Sequence, residues 1–238
     1  MQEMMLARAK ALLQSGDVQR VLGWQAGEFV YDVTPAVFET AEELDAKFVY
    51  NDFCGSNLSK YLVKESRKEG RVLVFLKPCD TYSFNQLIKE HRIVRENIYV
   101  IGVPCAGKTD GETLKGLGLK GILGVKDAGD SFTVETLYGE KTVSKQEALP
   151  ERCRSCKSHK HMVYDELLGE EGEVLDSHRF DMVEKLESMS ADERFAFWQG
   201  ELSRCIRCNA CRNVCPACTC EKCVFDNEHS GIAQKAAA

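Results

Sequence analysis

Several features that would assign the chain to a common class are missing from its 238 residues. Its uninterrupted apolar runs are short, such as Val72–Leu76 and Ile98–Val103, whereas a membrane-spanning helix needs about 20 apolar residues. The segment from Met1 to Lys10 mixes charged with apolar residues and carries no small-residue cleavage pattern, so we expect no secretory signal. These absences predict a cytoplasmic protein without membrane insertion.

Clustered positive charge is also scarce. The net charge of −6 argues against nucleic acid as a partner, because phosphate binding depends on grouped Lys and Arg side chains. One basic stretch, from Arg152 to Lys160, is interpreted as a solvated face beside cysteines, where cations would offset the negative charge of bound metal. No Ser/His/Asp set or paired carboxylates indicate a hydrolase, and the dinucleotide-binding pattern GxGxxG is absent.

Cysteine, by contrast, is abundant, with twelve residues. Disulfides do not persist in a reducing cytosol, so cysteines at short spacings indicate metal binding. Cys54, Cys79 and Cys105 stand alone, while Cys153 and Cys156 form a CxxC pair. The remaining seven crowd into one C-terminal segment, namely Cys205, Cys208, Cys211, Cys215, Cys218, Cys220 and Cys223.

The C-terminal segment contains the run CxxCxxCxxxCP. Cys205, Cys208 and Cys211 have the spacing that binds three corners of a [4Fe-4S] cluster, and a cysteine before proline, here Cys215, often ligates a second cluster in two-cluster ferredoxins. Only one such run is present, so the fourth ligand stays open. Besides Cys215, the cysteines that could close this cluster, bind another metal or remain spare thiols are Cys218, Cys220 and Cys223.

The middle of the chain predicts a βαβ unit. Arg71–Lys77 and Asn97–Val103 are expected as buried strands and Ser83–His91 as the helix between them, which implies a parallel sheet with a right-handed crossover. Each strand runs into a Pro–Cys pair that ends it, at Cys79 and at Cys105. Because the carboxyl ends of parallel strands lie at one edge, we expect these two thiols to converge.

A second metal centre follows from this convergence. Cys79 and Cys105, joined by Cys153 and Cys156, supply the four thiolates that a cubane requires, with Cys54 as a fifth candidate. Zinc would use the same ligands, and buried cysteines that only fill the core are the other alternative.

Three nearby features receive simpler interpretations. His159 and His161 are expected in a polar loop, because four cysteines already satisfy the site. Asp80 is expected to cap the helix after Cys79. The segment Gly102–Thr109 matches the phosphate-loop pattern GxxxxGKT, but we interpret the match as a coincidence because no good helix follows.

The predicted fold is α/β, a parallel-sheet core domain with a C-terminal ferredoxin-like cysteine-rich segment. We divide it into residues 1–45 (N-terminal helix and hairpin), 46–190 (α/β domain) and 191–238 (linking helix and iron–sulfur segment). Further elements are expected as helices at Met1–Leu13, Asn57–Glu69 and Asp181–Ser188, a helix opened by a capping box at Ser190, a hairpin over Val21–Phe38, and a strand pair at Ser131–Tyr138 and Lys141–Val143.

Three motifs carry a family resemblance: Lys77-Pro78-Cys79-Asp80, Ile101–Gly107 and Cys153-Arg154-Ser155-Cys156. With them, residues 51–169 resemble the beta subunits of coenzyme F420-linked hydrogenases and formate dehydrogenases, and are similar to iron–sulfur proteins found beside heterodisulfide-reductase-type complexes. The resemblance implies iron–sulfur clusters, in some members FAD, and electron transfer between a catalytic subunit and a soluble carrier. FAD is implied by this resemblance alone. Relatives often continue with a second cysteine run, which this chain lacks.

We therefore expect an electron-transfer subunit of a multisubunit cytoplasmic oxidoreductase, with two [4Fe-4S] clusters and cysteines enough for a third. The chemistry would belong to a partner subunit of a hydrogenase, formate dehydrogenase or heterodisulfide-reductase-like complex. Candidate contacts with partner subunits are Phe195, Phe197, Trp198, Val224 and Phe225. The alternatives are a zinc-stabilised interaction module and a flavin-containing reductase subunit.

Overall fold

A computed structural model of the chain describes residues 1–206, 208–220 and 223. Its strands are β1 (Arg20–Ala26), β2 (Val33–Phe38), β3 (Val72–Leu76), β4 (Ile98–Gly102), β5 (Ile122–Asp127), β6 (Ser131–Thr136), β7 (Gly139–Ser144) and β8 (Glu166–Leu167). Its α-helices are α1 (Gln2–Ser15), α2 (Ala41–Lys47), α3 (Leu62–Glu65), α4 (Pro78–Lys89), α5 (Gly111–Gly116), α6 (Lys145–Ala148), α7 (Glu151–Arg154), α8 (Asp181–Ser188), α9 (Ala191–Leu202) and α10 (Ala210–Val214). Among the described residues, no helix has the length and apolar character needed to cross a membrane.

The predicted α/β fold with a parallel-sheet core is confirmed. The larger sheet has the strand order β2-β1-β3-β4-β8, and β1, β3, β4 and β8 run parallel. Strands β3 and β4 pair in register from Val72 opposite Ile98 to Leu76 opposite Gly102, with α4 as the crossover between them. Every residue of β3 is buried, as expected for a strand covered on both faces.

The N-terminal helix and hairpin pack into the same core as the parallel strands. Helix α1 buries Met5, Ala9 and Leu12 on one face and ends at Gly16, whose φ of 77° suits a residue without a Cβ atom. Strands β1 and β2 form the predicted hairpin, because they pair antiparallel along their whole lengths. These segments contribute to one hydrophobic cluster with β3 and β4.

Two predicted helix boundaries were wrong. Helix α4 begins at Pro78 and not at Ser83, because proline fits the first turn of a helix and the Asp80 carboxylate accepts the Lys77 backbone N–H at 3.2 Å. This bond confirms Asp80 as a cap and places Cys79 in the first helical turn. The helix expected over Asn57–Glu69 is reduced to α3 and a preceding 3₁₀ turn, because the Ser59 N–H donates to Asn57 Oδ1 at 2.9 Å and the Tyr61 N–H donates to the Leu58 carbonyl at 3.1 Å.

A smaller antiparallel sheet, in the order β5-β6-β7, forms between Cys105 and Cys153. Its core includes Phe132 and Val134 of β6, packed with Leu114 of α5. The strand pair β6–β7 was predicted, whereas β5 was missed because its segment is rich in glycine. The short edge strand β8 was also missed.

The two helices before the C-terminal cysteines were predicted and are present. Helix α8 has the expected bounds, and α9 starts after Ser190, whose hydroxyl accepts the Glu193 N–H at 3.3 Å. Neither helix contains a buried residue. The C-terminal cysteine segment therefore follows two exposed helices.

Candidate metal centre

The two Pro–Cys pairs follow neighbouring strands at one edge of the larger sheet. Leu76 of β3 and Gly102 of β4 are register partners. Cys79 lies three residues after Leu76, and Cys105 lies three residues after Gly102. Cys79 is in the first turn of α4, while Cys105 is in the loop after β4. The parallel register therefore directs both cysteines to the carboxyl edge, where open α/β sheets place ligands.

The CxxC pair returns to this edge from the end of the smaller sheet. Cys153 lies in α7, and the Cys156 N–H donates to the Cys153 carbonyl at 3.3 Å in the turn that follows. Cys79, Cys105, Cys153 and Cys156 together line a cavity of about 210 Å³. Charged or titratable side chains in the same lining are Lys77, Asp80, Lys108, Arg152 and His159.

The strand-end thiols lie in a poorly solvated concave site. Burial is the main cause that raises the pKa of Cys105, against the Gly107 N–H and Lys108, which lower it. The Cys79 side chain is exposed and lines the cavity. Desolvation by the surrounding protein atoms, followed by the negative charge of Asp80, nevertheless raises the pKa of its thiol as well. The raised pKa values favour the protonated form of both thiols, so metal binding would release protons.

Cys54 lies apart from the four cavity cysteines. It is fully buried in the hydrophobic core and does not line the cavity. Its sulfur accepts the Asn51 N–H at 3.2 Å, and burial raises its pKa to about 11. This placement favours a role in packing over a role as a ligand.

Two buried lysines at the cavity were missed. Lys77 and Lys108 line it, whereas the sequence directed attention to the basic stretch beside the CxxC pair. Of that stretch, Arg152 lines the cavity, but Lys157 lies over the Tyr82 ring with its Nζ 4.8 Å from the centroid. Two sequence features could have indicated these lysines: Lys77 directly precedes Pro78, and Lys108 belongs to the phosphate-loop match GxxxxGKT.

The phosphate-loop match has internal partners for its polar side chains. The Lys108 ammonium donates to the Asn51 carbonyl at 2.9 Å, and the Thr109 hydroxyl donates to the Ala148 carbonyl at 2.7 Å. Helix α5, which follows, has six residues. These contacts hold the loop to its neighbours.

The two histidines after the CxxC pair occupy different positions. His159 lines the cavity, and burial lowers its pKa, which favours the neutral imidazole. The His161 side chain is fully buried. Its Nε2 atom lies 3.2 Å from the Leu76 carbonyl and 3.2 Å from the Val103 carbonyl, and its Nδ1 lies 2.7 Å from Glu171 Oε1. His161 therefore lies in a loop, as expected, but it is buried there and bridges the ends of β3 and β4.

The C-terminal cysteine segment contacts the main domain through backbone groups. The Lys60 ammonium donates to the Cys215 carbonyl at 2.9 Å and to the Cys218 carbonyl, and the Arg92 guanidinium donates to the Thr219 carbonyl. Cysteines of this segment with exposed side chains are Cys205, Cys208, Cys211, Cys218 and Cys220, and those of intermediate exposure are Cys215 and Cys223. Val224 and Phe225, expected as partner contacts, lie outside the described residues.

Fold and cavity define an α/β protein with four thiols at the carboxyl edge of a parallel sheet and a second cysteine-rich segment beside it. No family model matches the chain. It is 24% identical over 278 aligned positions to the F420-dependent formate dehydrogenase subunit beta of Methanocaldococcus jannaschii, covering 92% of this chain and 73% of that protein. It is 22% identical over 282 positions to the F420-dependent formate dehydrogenase 1 subunit beta of Methanococcus maripaludis, with the same coverage of 92% and 73%.

A solved structure agrees at the level of fold. The chain matches a chain in a xenon-derivatised structure of the F420-reducing [NiFe] hydrogenase complex from Methanosarcina barkeri with a TM-score of 0.55 and 18% identity. The match covers 68% of this chain and 61% of that one. The resemblance to coenzyme F420-linked beta subunits that was predicted from the sequence is thus confirmed.

Proposed function

We propose that the chain is an iron–sulfur electron-transfer subunit of a multisubunit oxidoreductase, relaying electrons between a catalytic partner subunit and a soluble carrier. The observation that carries this proposal is the cavity lined by Cys79, Cys105, Cys153 and Cys156. Four thiols are the ligand number of a cubane cluster. The relatives are named as subunits of F420-dependent formate dehydrogenases, which supports a redox complex with coenzyme F420 as the carrier.

The donor set fits a cubane better than a single ion. Within the described residues, no three His, Cys, Asp or Glu side chains are grouped to hold one metal ion. A single zinc draws its sulfurs close together, because each bond is about 2.3 Å long. In a cubane each cysteine binds a different iron, so the sulfurs stand farther apart around a wider space. When bound, the cluster would supply one-electron redox chemistry, and the chain would supply its ligands and their surroundings.

A second centre is proposed in the C-terminal segment. The spacing of Cys205, Cys208 and Cys211 supports a [4Fe-4S] cluster there, with its fourth ligand among the cysteines from Cys215 to Cys223. The hydrogen bonds from Lys60 and Arg92 hold this segment against the domain that carries the cavity. Two centres on one chain suit a relay, since an electron that arrives at one can pass to the other.

Partner subunits are proposed to cover the exposed helices. Phe195 and Trp198 of α9 are 69% and 48% exposed, and Phe197 packs on Trp198 with ring centroids 5.1 Å apart. Exposed aromatic side chains on a helix without buried residues indicate an interaction surface. We propose that the complex resides in the cytoplasm, where thiols remain reduced. A chain that purifies alone as a monomer, with both centres and no binding of apolar dye, would contradict the partner proposal.

The decisive experiment is metal analysis of the full chain purified without oxygen. We expect iron and acid-labile sulfide, and we expect Cys79→Ser and Cys208→Ala each to lose about one cluster's worth of iron. Cys54→Ala is the matched control, because this cysteine is buried outside the cavity, and it should keep the wild-type iron content. Wild-type iron content and spectra in Cys79→Ser would remove the cavity centre from the proposal.

The same preparation distinguishes the alternatives. Stoichiometric zinc without sulfide would indicate a zinc-stabilised interaction module. Flavin released on denaturation, together with turnover by the isolated chain, would indicate a flavin-containing reductase subunit. Iron and sulfide without turnover are the result expected of a relay.

A further inference from the structure

Two ammonium groups line the cavity, at Lys77 and Lys108. Their side chains are only 2% and 10% exposed. A charge held away from water is costly unless nearby groups compensate it, so a buried cation beside a ligand site affects whatever binds there. The two lysines differ in how they are compensated.

The charge of Lys77 is neutralised locally. Its Nζ lies 2.8 Å from Asp80 Oδ2, and the Asp80 side chain is 1% exposed. The same ammonium donates to the Ser56 carbonyl at 2.9 Å and faces the Trp24 ring at 4.5 Å. Lys77 and Asp80 thus form a buried ion pair with no net charge.

The charge of Lys108 is not neutralised in this way. Its Nζ donates to the Asn51 carbonyl at 2.9 Å and lies 4.2 Å from the centroid of the Tyr50 ring, and both groups are uncharged. Its ion-pair partner Asp52 is 3.9 Å away, with a side chain that is 22% exposed. At this longer distance, and with water near the carboxylate, compensation is weaker than in the Lys77–Asp80 pair.

Of the two buried ammonium groups that line the cavity, Lys108 is therefore the one whose charge is not cancelled by a close, buried carboxylate. Arg152 adds little, because its side chain is 58% exposed and is paired with Asp110 at 3.1 Å.

We propose that Lys108 is the residue whose buried positive charge raises the reduction potential of the centre held by Cys79, Cys105, Cys153 and Cys156. This inference rests on the proposed iron–sulfur function. Reduction adds one electron, supplied by the donor of the complex, and hence one negative charge to the centre. A fixed cation nearby stabilises the reduced form more than the oxidised form, which raises the potential. Lys108 acts through space and is not a ligand.

The test is an anaerobic redox titration of the full chain after reconstitution with iron and sulfide, followed by electron paramagnetic resonance. In Lys108→Met the cavity centre should shift to a more negative potential, whereas Lys108→Arg, which keeps the charge, should stay near wild type. Lys115→Met is the matched control, because that side chain is 72% exposed. The C-terminal centre serves as an internal standard whose potential should not move.

Two further variants make the test independent of how well Lys108→Met assembles. Asp52→Asn removes the partner carboxylate of Lys108 and should shift the cavity centre to a more positive potential. The double variant Lys77→Met with Asp80→Asn removes both charges of the neutral pair and should shift it less than Lys108→Met does.

A wild-type potential in an assembled Lys108→Met variant, or an unchanged or lowered potential in Asp52→Asn, overturns the inference about Lys108 and leaves the proposed function intact. A larger shift in the double variant than in Lys108→Met also overturns it. A wild-type chain that forms no Cys79-dependent centre overturns the proposed function and the inference together.

Discussion

Replacement of His161 by alanine should destabilise the chain and loosen the cavity. Nε2 faces two backbone carbonyls, which only accept hydrogen bonds, so this nitrogen must carry a proton. Nδ1 faces the Glu171 carboxylate, which also accepts the His161 backbone N–H at 2.8 Å. His161 therefore links the ends of β3 and β4 to Glu171, in the segment after the CxxC pair.

The expected loss can be worked out from these contacts. The bond to Glu171 is charge-assisted, but the carboxylate is 25% exposed, so it should contribute about 1 kcal/mol. Donation to the strand-end carbonyls contributes about 1 kcal/mol more. Leu76 keeps one partner, since its carbonyl also accepts the Val103 N–H at 2.9 Å. Removing a fully buried ring leaves a cavity that costs at least about 1 kcal/mol.

His161→Ala should accordingly lower the free energy of unfolding by about 3 kcal/mol, a large part of the stability of a typical domain. Urea unfolding followed by circular dichroism measures this change. The control is His178→Ala, whose side chain is 94% exposed and which should change stability by less than about 0.5 kcal/mol. Iron should also leave the cavity centre faster in His161→Ala, because Cys79 and Cys105 follow the bridged strand ends. A loss equal to that of the control would refute the bridge.

Two further predictions concern contacts around the cavity and the C-terminal segment. Burial alone would raise the pKa of Glu171, but its hydrogen bonds with His161 outweigh it and lower the pKa. The stability that ionised Glu171 contributes is therefore present above the ordinary glutamate pKa and is lost as pH falls through the lowered pKa. Between about pH 6 and about pH 3, the free energy of unfolding of the wild-type chain should fall by about 1 kcal/mol more than that of Glu171→Gln. Equal losses of the two proteins in urea unfolding would contradict this. Lys60→Met should weaken the docking of the C-terminal segment by about 1 kcal/mol, seen as roughly fivefold faster amide exchange there. Lys64→Met, in the adjacent helix α3, should leave the exchange unchanged. Unchanged exchange in Lys60→Met would show that Lys60 does not hold the segment.

The convergence of Cys79 and Cys105 could be predicted because it depends on topology. Two apolar runs separated by a helix require parallel strands, and equal spacing from strand end to cysteine then sets both thiols at one edge. The start of α4 was misplaced because Pro78 was interpreted only as the end of a strand. Proline also suits the first turn of a helix, and sequence alone does not show which role prevails.

The charges around the cavity could not be predicted in the same way. The basic stretch near Arg152 was visible as a sequence feature, but the burial of Lys77 and Lys108 depends on elements distant in the chain. Lys108 contacts Asn51 and Tyr50, more than 50 residues earlier. Strand β8 has two residues, which are too few to show an alternating apolar pattern. The edge strand next to β4 therefore could not be predicted from the sequence either.

The smaller sheet lies in a loop that leaves the cavity at Cys105 and returns at Cys153. A centre that binds both cysteines closes this loop as a covalent cross-link would, and restricting a loop of this length in the unfolded chain contributes about 4 kcal/mol of stability in the chain-entropy model. The contribution depends only weakly on loop length, since doubling the length changes the closure term by about 0.6 kcal/mol. The smaller sheet can therefore be lengthened or shortened with little change in the entropic contribution of this loop closure.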